Sequence, residues 1–143
     1  MSDEASQVRA AAVCNLSLPD AQLDDLRDDP SARVRRMEAR REGLAPATFE
    51  RLASDPDEWV RRWVARNAHL SERMLRRLVV DAAPAVRRGV TRNAACPAEL
   101  LCRLARDSQP WVRAGVALRP DAPDAAIETL ATDTHTRRAG GGR

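Results

Sequence analysis

The chain has 143 residues, 43% apolar and 31% charged, which supplies enough apolar side chains for one globular core and argues against disorder. Net charge is only +3, yet all 24 basic residues are arginine and their spread is uneven: two Arg face seven acids over residues 1–32, and fifteen face eight over 33–92. Three cysteines, Cys14, Cys96 and Cys102, without CxxC spacing argue against a disulfide framework or a zinc site, and no run approaches the roughly 18 apolar residues of a membrane span.

From the N-terminus, Met1 to Gln7 is acidic and polar, unlike an export signal, so a cytoplasmic location is expected. Val8-Arg9 follows, and the dipeptide returns at Val34-Arg35, Val60-Arg61, Val86-Arg87 and Val112-Arg113, each 26 residues after the last. Other columns keep the same phase: Asp3, Asp29, Asp55, Asp81, Asp107 and Asp133; Leu26, Leu52, Leu78, Leu104 and Leu130; Leu23, Phe49, Leu75, Leu101 and Ile127. These columns divide one domain, 1–133, into units 3–28, 29–54, 55–80, 81–106 and 107–132, with 134–143 expected to be a disordered tail.

Each unit holds two short helices. One of them, helix B, is expected to begin after the Asp column, where Asp29-Pro30 and Asp55-Pro56 set a side-chain acceptor ahead of a proline. It is expected to stop near Asn15, Asn67 and Asn93, which tolerate a left-handed backbone. Helix A follows. Pro19, Pro97 and Pro123 suit its first turn, Ser71 is a candidate cap, and Leu100, Leu101 and Leu104 form one stripe. Helices this short are unstable alone, so each must bury its stripe against its neighbours. The fold class is all-α, an α-solenoid of two-helix units.

Helical rotation of about 100° per residue separates the faces of helix B. In the third unit Val60 and Val64 define the core direction, Arg61 lies to one side of it and Trp59 and Trp63 to the other, and Arg62 and Arg66 point away. The outward arginines form a repeated i, i+4 pair, Arg36 with Arg40, Arg62 with Arg66, and Arg88 with Arg92; in the end units the same columns hold Ala10 and Cys14, or Ala114 and Leu118. A column confined to the central units suits a site more than a scaffold. Six guanidinium groups bordered by Trp59, Trp63 and Trp111 suit phosphates or carboxylates, with the rings available to stack on a base or cover a peptide side chain. The competing reading makes the arginines a solvated face and the tryptophans gap fillers.

The run Leu52-Ala53-Ser54-Asp55, then Val60-Arg61, Val64-Ala65-Arg66-Asn67 and Pro97-Ala98-Glu99-Leu100-Leu101, resembles the leucine-rich repeat variant family and, more broadly, short HEAT-like repeats, over residues 3 to 133. The resemblance implies a right-handed solenoid with helix B lining the concave face. It also implies a ladder between neighbouring units, formed by the Asp column with Arg9, Arg35, Arg61, Arg87 and Arg113. Members of the family with an iron–sulfur cluster hold it in a separate cysteine-rich N-terminal segment; no such segment precedes these repeats, so no cluster or other cofactor is expected.

HEAT-like repeats also build DNA glycosylases that act on alkylated bases, with a basic channel, tryptophans and an acid. The acid here would be Glu38, in a column otherwise held by Ala12, Val64, Val90 and Val116; the plainer reading pairs it with Arg35 or Arg41. His69 and His135 stand apart, Cys96 shares an apolar column and Cys102 is expected at the surface. A non-catalytic binding surface for an acidic protein or peptide is therefore expected, with DNA or RNA backbone as the alternative and no membrane partner. The modest net charge and the acidic first unit set that order.

Overall fold

The computed structural model describes the backbone of residues 3–15 and 28–139. Pro19, Leu23, Leu26, Gly140 to Gly142 and the side chains of Asp3, Asp133 and His135 lie outside the described residues. Among those described, nine α-helices follow one another: α1 (Asp3–Val13), α2 (Ala32–Ala39), α3 (Pro46–Leu52), α4 (Glu58–Arg66), α5 (Glu72–Leu78), α6 (Pro84–Thr91), α7 (Ala98–Leu104), α8 (Pro110–Ala117) and α9 (Asp124–Ala139). No helix among them is long and apolar enough to cross a membrane.

The B helices α2, α4, α6 and α8 begin at residues 32, 58, 84 and 110, and α3, α5, α7 and α9 are the A helices between and after them. Packing is sequential: α1 lies on α2, α2 on α4, α4 on α6 and α6 on α8, most extensively between α4 and α6. The B helices form the tighter layer: among the described A helices, α7 and α9 make the most extensive contact, and it is smaller than any between successive B helices. Periodicity explains the core. Val60, Val64, Val86, Val90, Val112 and Val116 from the B layer and Leu52, Leu75, Leu78, Leu101 and Leu104 from the A layer are buried, each such side chain stabilising by roughly 1.5–3 kcal/mol. Ile127, last of its column, is 43% exposed because no further unit covers it among the described residues.

The helix ends differ from expectation in three ways. The prolines after Asp29 and Asp55 precede helix B; the N-caps are Ser31 and Asp57, two residues after each Asp. Asp29, Asp55, Asp81 and Asp107 instead accept the backbone N–H of Ser31, Asp57, Ala83 and Gln109 at 2.8–2.9 Å, closing the turn that leads into each helix. Pro97 is an N-cap outside α7, and Ser71 occupies the N-cap of α5 without a side-chain capping bond. Asn67 is extended (φ −69°, ψ 125°), and no non-glycine residue described has positive φ. The asparagines serve a different purpose: Asn67 Nδ2 donates to the Arg41 carbonyl at 2.7 Å, and Asn93 Nδ2 to those of Ala65 and Asn67 at 2.9 and 2.8 Å. Arg41 and Arg119 occupy the same column and donate to Val13 and Asn15, and to Thr91 and Asn93.

The expected Asp–Arg ladder is present. Nε of Arg9, Arg35, Arg61 and Arg87 donates to Asp29, Asp55, Asp81 and Asp107 of the next unit at 2.6–2.8 Å. Nη1 of Arg35, Arg61, Arg87 and Arg113 also donates to the Asp29, Asp55, Asp81 and Asp107 carbonyl of its own unit at 2.7–2.8 Å. One guanidinium thereby locks two units in register. At the other end of the array, α9 continues to Ala139, so 134–139 are helical where a tail was expected.

Candidate functional site

The outward arginines form a less uniform set than their spacing suggests. Arg36 leaves it: its Nε and Nη2 bond Asp57 at 3.0 and 2.6 Å. Asp57 also caps α4 by accepting from Trp59 and Val60, and the hydrogen bond from Arg36 leads the causes that hold its carboxyl below the usual range. Asp57 had no role in the repeat pattern; its position 21 residues after Arg36, one past the ladder offset, was the available signal.

The remaining five, Arg40, Arg62, Arg66, Arg88 and Arg92, make no ion pair with any described carboxylate. Burial first, then Arg66, Arg92 and Arg88, pushes the Arg62 guanidinium down from its ordinary value; for Arg66 the causes are burial, then Arg92 and Arg40. Both stay charged, because a guanidinium does not lose its proton in a protein. The shifts instead record cations crowded together while partly removed from water, a state that an incoming anion relieves.

Glycine brings the rows together. A Cβ at Gly89 of α6 would stand 2.8 Å from the Arg62 carbonyl oxygen and 3.0 Å from the Ala65 Cβ, so α6 reaches this distance from α4 only without a side chain there. Gly115 repeats the device one unit later, where a Cβ would collide with Thr91 Oγ1. Glycine inside a helix costs roughly 0.5–1 kcal/mol relative to alanine, which the close packing offsets.

The tryptophans orient the cations. Trp63 lies under Arg40 and Arg66, at 4.6 and 4.5 Å from its ring centre, and also packs against the core. Arg62 stands over Trp59 at 4.8 Å and Arg88 over Trp111 at 5.7 Å. Ring faces expected to meet a base or a peptide carry guanidinium groups, each contact adding about 0.5–1 kcal/mol at an exposed site. Arg88 Nε is buried without a hydrogen-bond partner, a donor left unsatisfied.

Two cavities open on this surface. One of about 340 Å³ lies between α2 and α4 and is lined by Arg40, Trp63, Arg66 and His69, with Glu42 also on its wall. Another, of about 460 Å³ between α6 and α8, is lined by Arg88, Arg92, Gly115 and Leu118 among others. A larger cavity, about 1110 Å³, lies elsewhere, and its Arg76 and Arg87 are already bound to Glu99 and Asp107.

Glu38 does not join the arginine surface. It is 6% exposed, and both carboxylate oxygens accept from Arg51 Nη2 of α3, at 2.7 and 2.8 Å, so Arg51 replaces the Arg35 or Arg41 expected beside it. Its column is otherwise filled by the buried Val64, Val90 and Val116, and the buried apolar side chains form two separate clusters, the main one and a smaller one of Ala10, Val13 and Val34. Cys96 is buried, which pushes its thiol up to about 11 and leaves it protonated near neutrality. Cys102 is half-buried against the core where exposure was expected, and Cys14 is exposed.

No curated protein and no solved structure matches the chain. The resemblance carried by the repeated columns is supported at one stretch, the length of a single unit and containing α8 and most of α9: residues 110–135 match the family model of the leucine rich repeat variant.

Proposed function

We propose that this chain is a non-catalytic binding protein, a right-handed solenoid of five 26-residue two-helix units whose B layer recognises an acidic segment of a partner protein. The observation that carries the reading is the cluster of Arg40, Arg62, Arg66, Arg88 and Arg92, crowded by glycine-mediated packing, held by tryptophan rings and joined to no described carboxylate. A planar guanidinium makes two parallel bonds to a carboxylate, and here part of the cost of desolvating the cations is already met by the fold. In a curved stack the layer with closer neighbours faces inward, which supports a concave B layer.

The field is short, which favours a peptide segment over a nucleic-acid backbone. Asp57 neutralises Arg36 at one edge, and Asp121, bonded to Arg119, stands at the other. A dedicated nucleic-acid binder carries a longer run of phosphate contacts. Catalysis through Glu38 is not part of the reading, because that carboxylate is held by Arg51 inside its unit.

Fluorescence anisotropy tests the proposal. A labelled peptide rich in Asp and Glu should bind the wild type, and the double variant Arg62→Ala, Arg88→Ala should lose at least tenfold in affinity while melting within a few degrees of it. Tight, steeply salt-dependent binding of a single-stranded or duplex oligonucleotide, with no peptide binding, would replace this reading with the nucleic-acid one.

A further inference from the structure

The arginine columns end in an apolar strip. At the C-cap of α8 the position equivalent to Arg66 and Arg92 is Leu118, 76% exposed and still helical in backbone, and on α8 itself the position equivalent to Arg62 and Arg88 is Ala114, also exposed. Trp111 precedes them at 37% exposure, with Arg88 over its ring. Residues 111, 114 and 118 follow i, i+3, i+7 spacing and share one helix face. The cavity beside the strip mixes the two chemistries, since Arg88 and Arg92 line it from the α6 side and Gly115, Leu118 and Pro120 from the α8 side. Its 460 Å³ falls within the range of pockets that take a small ligand or a large side chain.

Resting on the binding role above, we propose that the surface reads a composite segment: carboxylates that meet Arg62, Arg66, Arg88 and Arg92, followed by one apolar side chain that enters the cavity at Leu118. Charge complementarity selects the acidic part. The apolar part separates this partner from a nucleic acid, whose uniformly anionic backbone would press phosphate against Leu118 and towards Asp121 on the cavity wall. Neighbouring helix axes lie about 8–10 Å apart, and an extended chain advances about 3.3 Å per residue. A segment crossing the B helices therefore presents a new residue to each helix about every three positions. The recognised pattern is acid, acid three residues on, then an apolar residue three further on.

The test uses the full chain and three labelled probes in anisotropy titrations: a twelve-residue peptide with this pattern ending in leucine, the same peptide with serine for that leucine, and a single-stranded oligonucleotide. The leucine peptide should bind about tenfold tighter than the serine peptide, and Leu118→Ser, at an exposed position, should reduce that advantage to twofold or less. Equal affinity of the two peptides for the wild type overturns the anchor while leaving the acidic reading standing. Binding of neither peptide overturns both, and binding of the oligonucleotide alone assigns the surface to nucleic acid.

Discussion

Arg61 holds Asp81 of the following unit through Nε at 2.8 Å and Nη2 at 3.0 Å, while its Nη1 donates 2.7 Å to the Asp55 carbonyl of its own. Arg62, next in sequence, stands over Trp59 among other arginines. Truncating the first strips a mostly buried carboxylate of its guanidinium partner, leaving it the Ala83 N–H, and takes a donor from a carbonyl; truncating the second removes one ring contact and relieves repulsion. Arg61→Ala should therefore cost about 1–3 kcal/mol, and Arg62→Ala less than about 0.5 kcal/mol. Urea unfolding midpoints at unchanged slope give the comparison, and the reverse order would show that the two faces are misassigned.

The ladder also makes stability depend on acid. Burial raises the carboxyls of Asp29, Asp81 and Asp107, but the arginine hydrogen bonds, the backbone N–H groups and the neighbouring cations outweigh it, so all three sit below the ordinary 3.8. Between each folded value and 3.8 the unfolded chain binds more protons, so this contribution is present above 3.8 and is lost as pH falls through the folded values. Melting temperatures should decline from about pH 4 downward, and Asp81→Asn should be less stable at neutral pH with a shallower acid decline. An unchanged decline in that variant would place the acid sensitivity outside the ladder.

Columns that recur are legible from spacing because every unit needs them. Val60, Leu78 and Arg61 each repeat a requirement of the stack, and all three take the places their columns imply. Partners set by contact across units are less visible. Asn67 reads as a helix stop from its residue type, yet its amide spans 26 residues to the Arg41 carbonyl, and only the restriction of that column to Asn and Arg hints at it. Arg36 and Arg62 share a column, and a single acid at Asp57 removes one of them from the candidate site.

Gly89 controls both packing and site. Gly89→Ala gains roughly 0.5–1 kcal/mol in helix propensity. Its Cβ would lie 2.8 Å from a backbone oxygen that cannot rotate aside, a clash of the kind that costs about 1–3 kcal/mol. The net effect should be destabilising, and acidic-peptide affinity should fall as Arg88 and Arg92 move away from Arg62 and Arg66. Denaturation and anisotropy on this one variant read the two effects. A more stable variant with unchanged affinity would show that the close approach of α6 to α4 is incidental.

Glu38 interrupts a column that is Val64, Val90 and Val116 in later units, and all three of those valines are buried. Removing the carboxylate alone takes two short acceptor contacts from a partly buried guanidinium, so Glu38→Val should be destabilising by about 1–3 kcal/mol. Replacing both partners removes the buried charge altogether, an exchange that is often neutral or stabilising. Glu38→Val with Arg51→Met should recover the loss and allow the apolar cluster at Val34 to meet the one at Phe49 and Leu52. Urea midpoints of the two single variants and the double variant form the cycle that measures this coupling. If the double variant is the least stable of the set, the pair supplies more than a substitute for a missing valine.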